Sequence, residues 1–140
     1  MDKICPRCNA VYTNLRWSFN DSLLKELKGR KDIERKLCPG CDKIAKRQVD
    51  GIVNLKGTFL LQHKNELLNL IMRVAEARKR TTIGARIINL DDKRDQVVIE
   101  TTDRHLAERI GKEVEKAFHG KLDIKWLKKE DFVRVNWQRD

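Results

Sequence analysis

All four cysteines of the chain stand in two Cys-Pro-x-Cys knuckles, Cys5-Pro6-Arg7-Cys8 and Cys38-Pro39-Gly40-Cys41, with 29 residues between them. A two-residue gap lets both sulfurs of a knuckle face one ion, and two knuckles complete a tetrahedral S4 shell. Such a shell leaves no coordination position for water or substrate, so the pattern predicts one structural Zn2+ held by Cys5, Cys8, Cys38 and Cys41. Two disulfides are the main alternative. A thioredoxin-like redox pair is the weaker one, because neither knuckle has the strand–helix setting that such a motif requires.

The chain has 140 residues, enough for a small metal module beside one compact domain. No run approaches the roughly 18 uninterrupted apolar residues of a membrane span. The opening Met1-Asp2-Lys3-Ile4 meets a knuckle at once, without a secretory apolar stretch. Reduced thiolates without such a stretch predict a cytoplasmic protein. The formal charge is +10, from 31 Lys and Arg against 21 Asp and Glu. Four thiolates and one divalent ion lower this to about +8, still a surplus suited to a phosphate-rich partner. A solubilising surface rich in Lys, Arg and Glu is the competing explanation.

Residues 1–50 show one short amphipathic stretch, Ser18 to Leu27, which Asn20, Asp21 or Ser22 would cap and Gly29 would end. This segment reads as a zinc ribbon whose spacer carries a helical insertion, with metal substituting for a core the polar sequence cannot build. Residues 51–140 read as a second domain. Thr58 is placed to cap a helix running to about Lys79. Ala85 to Leu90 and Gln96 to Thr101 form a hairpin around Asp91 to Asp95. Thr102 or Asp103 caps a second helix in which Leu106, Ile110, Val114 and Phe118 recur every fourth residue, with Gly120 at its left-handed end. A last hairpin alternates Leu122, Ile124 and Trp126 against Val133, Val135 and Trp137, turning at Lys128 to Asp131. The fold class is therefore α+β, with an αββαββ domain, a mainly antiparallel four-stranded sheet and two helices on one face.

His63, His105 and His119 share no local motif with one another, with a cysteine or with a nucleophilic serine. Thr101-Thr102-Asp103 reads first as a helix cap, and an anion-binding helix end is the alternative. No glycine-rich phosphate loop, Gly-x-Ser-x-Gly or His-Glu-x-x-His is present, and nothing in the sequence assigns a reaction or a small-molecule substrate. Basic residues bunch around the knuckles and at one helix end: Arg7, Arg16, Lys43, Lys46 and Arg47, then Arg78-Lys79-Arg80. Trp17 beside Arg16 could stack on a base whose phosphate the arginine meets. These nine residues are the candidate nucleic-acid contacts.

The string Cys5-Pro-x-Cys8, Val11-Tyr12, Arg16-Trp17, Cys38-Pro-x-Cys41, Gly51-x-Val53-x-Leu55-x-Gly57-x-Phe59 and His63-x-x-Glu66-Leu67-Leu68 resembles a group of short prokaryotic zinc-ribbon proteins. Thr101-Thr102-Asp103-x-His105-Leu106-Ala107-x-x-Ile110-Gly111 and Val133-Arg134-Val135-x-Trp137-x-Arg139 extend the resemblance over nearly the whole chain. That group is distantly similar to the N-terminal region of the export adaptor of the large ribosomal subunit, whose zinc knuckles correspond to Cys5/Cys8 and Cys38/Cys41. The adaptor is much longer, with further zinc ligands and domains that this chain lacks. The resemblance implies association with the ribosome or ribosomal RNA in assembly, quality control or dormancy, rather than export. It also makes His63, Thr101, Asp103, His105 and Arg134 motif positions.

The leading expectation is thus a non-enzymatic zinc protein that binds RNA or a ribosomal subunit. The alternative is a protein-interaction adaptor with a structural zinc ribbon and no nucleic-acid role. A third reading, an enzyme using Thr101, Asp103 and His105, requires those groups to converge in a pocket.

Overall fold

The computed structural model describes residues 1–140. The first knuckle follows a two-residue strand, β1 (Lys3–Ile4), and turns back into a hairpin of β2 (Val11–Thr13) and β3 (Arg16–Ser18). Asn14 and Leu15 between them both have positive φ (52° and 64°), as a two-residue hairpin with native twist demands. Helix α1 (Asp21–Lys28) is capped by Asn20, whose side chain accepts from the Leu23 amide at 3.0 Å, and ends at Gly29. The expected short helix in the spacer is therefore present. Strand β4 (Glu34–Arg35) returns beside β1, in parallel, to complete the order β3-β2-β1-β4. Ile4 and Val11, on one face of this small sheet, are buried with Leu27 of α1.

The second knuckle opens a helix the sequence reading did not assign, α2 (Pro39–Ala45). Cys38 is its N-cap and Pro39 its first residue, a position where proline loses no hydrogen bond and presets φ. One residue therefore both belongs to a Cys-Pro-x-Cys knuckle and caps a helix.

The sheet of the second part departs from expectation. It has five strands, in the order β6-β7-β5-β9-β8, and it is mixed. The unassigned strand is β5 (Gly51–Lys56). It is followed by α3 (Leu60–Thr81), the hairpin β6 (Ile87–Asp92) and β7 (Gln96–Thr101), α4 (Arg104–Phe118), and the hairpin β8 (Lys121–Leu127) and β9 (Phe132–Gln138), the latter two joined through a 3-10 turn. The architecture is βαββαββ. β5 lies in the centre, antiparallel to β7 and parallel to β9, and so joins two hairpins that would otherwise be separate. Its alternation buries Val53 and Leu55 at full depth.

Helix α4 lies across β5, β7, β8 and β9, with α3 beside it. Leu106, Ile110 and Val114 of α4, Leu67 and Ile71 of α3, and Val97, Ile99, Val135 and Trp137 of the sheet share one core. Complete burial of each large side chain contributes about 1.5–3 kcal/mol, and none of these core side chains is a cysteine. Thr58 does not cap α3; that end opens at Phe59 with no side-chain cap, and the Thr58 amide is taken by Asp140 at 3.3 Å. The cap of α4 is Asp103, accepting from the Leu106 amide at 3.1 Å. At the far end of α4, His119 (φ 60°) and Gly120 (φ 91°) both take the positive-φ conformation.

Candidate metal centre

Each knuckle turns on its own backbone. The Asn9 amide reaches the Cys5 carbonyl at 3.0 Å, and the Cys41 amide points at the Cys38 sulfur at 3.4 Å. The four sulfurs of Cys5, Cys8, Cys38 and Cys41 all lie within 4.8 Å of one another. Metal–sulfur bonds of about 2.3 Å in a tetrahedron give edges of about 3.8 Å, so the cluster fits a single ion. The Cys8 and Cys38 sulfurs are 3.6 Å apart, far beyond a disulfide bond of about 2.05 Å, and all four cysteines are free. Cys5, Cys38 and Cys41 are buried and Cys8 is half-buried, so the donor set lies largely inside the protein.

A residue outside both knuckles completes the site. Arg86, at the entrance to β6, is only 7% exposed. Its Nη2 lies 3.4 Å from Cys38 and 3.6 Å from Cys8, and its Nη1 lies 3.5 Å from Cys41. Four thiolates around a divalent ion carry a net −2, and a guanidinium in hydrogen-bonding contact halves it where burial limits screening by water. The arginine is fixed from behind. Its Nε donates to the Ile83 carbonyl at 3.1 Å, its amide donates to Thr102 Oγ1 at 2.8 Å, and the Thr102 amide returns to the Arg86 carbonyl at 2.9 Å. Gly40 is required by this approach: a Cβ there would meet the Ile83 carbonyl and the Arg86 Nε at 2.8 Å. The sequence marks Arg86 only as one cation among many at the start of a strand.

Without an ion, the thiols titrate unequally. The Cys38 S–H, helped by the Ala10 amide and Arg86, pulls Cys8 down to about 4 against the opposing effect of burial. Donation to the Cys8 thiolate, then burial, pushes Cys38 well up; burial, then Cys8, pushes Cys41 up. Burial alone would lower the Arg86 pKa, but the Cys8 and Cys38 sulfurs outweigh it and raise it.

The nine candidate nucleic-acid contacts divide. Arg7 and Arg16 are exposed on the metal module, Trp17 is half-buried against the cysteine cluster, and Lys43 stands beside Gly84. Lys46 pairs with Asp42 at 3.0 Å and Arg47 with Glu100 at 2.8 Å. Arg78 is bound to Asp103 at 3.3 Å, while Lys79 and Arg80 both meet Glu76. Lys79 also sits over the Phe19 ring, 5.0 Å from its centroid. At the end of α3, Arg78 and Lys79 are thus half-buried, whereas Arg80 stays exposed beside Glu76 of the same helix.

Thr101, Asp103 and His105 do not converge. The Thr101 hydroxyl donates to the Asp103 carbonyl at 2.8 Å, and the Asp103 carboxylate is taken by the Leu106 amide and Arg78. The ring nearest His105 is Trp126, 6.0 Å between centroids. His63 stacks on Phe59 and meets Glu66 at 3.2 Å. The His119 carbonyl accepts from the Trp137 indole at 2.5 Å. No helix is long and apolar enough to cross a membrane. Comparison with protein-family models, with curated proteins and with solved structures gives no match.

Proposed function

We propose that this chain is a non-enzymatic zinc protein of a reducing, cytoplasmic setting that binds RNA, with ribosomal RNA as its target. Zinc suits the site because four thiolates in a closed tetrahedron match its preferred geometry, and because it brings no redox demand to a buried scaffold. The observation that carries the RNA reading is the state of the cations on the metal module. Of its twelve Lys and Arg residues only Arg30, Lys46 and Arg47 stand in ion pairs. The others include Lys3, Arg7, Arg16, Arg35, Lys36 and Lys43, positive charges that stand in no ion pair. Such a surface suits phosphates, and the resemblance to short prokaryotic zinc-ribbon proteins directs the choice to the ribosome.

Cosedimentation of the zinc-loaded protein with purified ribosomal subunits across a salt series tests the proposal. Binding that weakens with salt, with a log–log slope of about −0.7 to −0.9 per phosphate neutralised, supports it. Absence of binding to subunits and to extracted ribosomal RNA at low salt, with one zinc per chain confirmed by elemental analysis, sinks it. The adaptor reading has its own observation, an open groove between α3 and α4 lined by Leu70 and Val74 and rimmed by the pairs Arg109–Glu113 and Lys112–Glu108. Capture of a protein that survives nuclease and high salt would favour it.

A further inference from the structure

We propose that the open face of the metal module's small sheet takes an unpaired segment of RNA, one base lying against Tyr12 and Trp17 and the flanking phosphates meeting Lys3 and Lys36. The proposal rests on the RNA reading above and adds to it a site and a strand state. Register places Lys3 opposite Tyr12, and Tyr12 opposite Trp17, so three strands carry these side chains in one row. The other face is already used, since Ile4 and Val11 are buried there with Leu27. The row therefore lies on the face away from that cluster, with Trp17 half-buried against the cysteines.

The rings of Tyr12 and Trp17 are 5.3 Å apart and tilted by 53°, and Lys3 Nζ stands 5.0 Å from the Tyr12 centroid. Leu37 and Pro39 form the opposite wall of a groove of about 770 Å3, with Lys36, Asp42 and Lys46 on its rim. A two-ring aromatic wall bordered by lysines serves two parts of a nucleotide at once: the flat apolar base and the charged phosphate. Asp42 is the one carboxylate lining the groove, and it is held by Lys46; Glu34, in register with Lys3 on β4, is exposed beside it. Lys3 and Lys36 stand in no ion pair, so the groove keeps a positive balance. A duplex hides its base faces in its own stack, whereas an unpaired base can offer one to this wall.

The test uses the full zinc-loaded chain and two labelled RNAs, a 12-nucleotide single strand of mixed sequence and a hairpin duplex of matching phosphate count, read by fluorescence anisotropy. The single strand is expected to bind at least tenfold more tightly than the duplex. Loss of one stacked base corresponds to about tenfold in affinity, so Tyr12→Leu should show that loss; Lys36→Gln should flatten the salt slope by about 0.7. Trp17→Leu keeps apolar cover over the cysteines, and zinc content is measured for each variant. If that variant loses zinc, Tyr12→Leu and Lys36→Gln decide alone. In the unmodified protein the Trp17 indole N–H resonance should shift on titration while that of Trp137, bonded to the His119 carbonyl, stays. Equal affinity for the duplex, unchanged binding by both deciding variants, or equally tight binding of an oligoglutamate would overturn the groove while leaving ribosomal-RNA binding to stand on its own cosedimentation result. Failure of both RNAs together with extracted ribosomal RNA overturns both proposals.

Discussion

Arg86 Nη2 lies 3.4 Å from the Cys38 sulfur, a contact made across 48 residues of sequence that puts a buried cation against the predicted zinc shell. Its removal leaves the S4 centre with its full double negative charge in a largely buried place. Arg86→Gln should lower zinc affinity about 10- to 100-fold, the usual scale for partners that hydrogen-bond to metal ligands. Arg86→Lys keeps the charge but cannot reach three sulfurs with one fork, so it should fall between the two. Competition against a chromophoric chelator measures all three, and equal affinities would show that the guanidinium is only packing.

Chelation should act on the two parts of the chain unequally. Residues 1–50 have only small clusters besides the cysteines, whereas the second part has a core of 15 buried residues. Zinc removal should therefore release the amides of Asn9 and Cys41 to rapid hydrogen exchange while those of Val53 and Ile99 remain protected. Global loss of protection would instead show that the sheet depends on the module.

What could be read in advance was whatever repeats along the chain. The knuckles show the ligand set, Leu106, Ile110 and Val114 show α4, and alternation shows both hairpins. β5, six residues long like β6 and β7, escaped because Gly51 to Lys56 has no turn partner of its own and pairs on each side with strands far along the chain. Its pairing turned an expected four-stranded sheet into a mixed five-stranded one. Arg86 escaped for a different reason. Arginine is ordinarily a surface residue, and only the docking of Ile83 and Gly40 makes this one interior. For the charged run Arg78-Lys79-Arg80, the i,i+3 and i,i+4 partner Glu76 is legible on the same helix, whereas Asp103 beside Arg78 and Phe19 beneath Lys79 are brought there only by the fold.

Zinc affinity should rise with pH through the neutral range. In the ion-free site Cys8 is already a thiolate, at about 4, whereas Cys38 and Cys41 are pushed up and keep their protons. An ion that binds thiolates must displace at least those two protons, and each proton released makes the affinity rise about tenfold per pH unit. Calorimetric titration in buffers of different ionisation enthalpy counts them. A count near zero would mean that the free site already holds its thiolates.

Leu15 offers a test in which stability and binding should move in opposite directions. It sits at the tip of the β2–β3 hairpin, 89% exposed and at φ 64°, next to Arg16. A leucine in this region costs about 1–2 kcal/mol relative to ordinary backbone, a cost that glycine avoids and that an exposed side chain does not offset by burial. Leu15→Gly should therefore stabilise the zinc-loaded hairpin by about 1 kcal/mol, seen as slower hydrogen exchange at Thr13 and Arg16. If the hairpin enters RNA alongside Tyr12 and Trp17, the same change should weaken single-strand binding several-fold, because the apolar tip is lost. Weaker binding by a more stable protein identifies Leu15 as a contact; unchanged binding confines the contact to the groove below it.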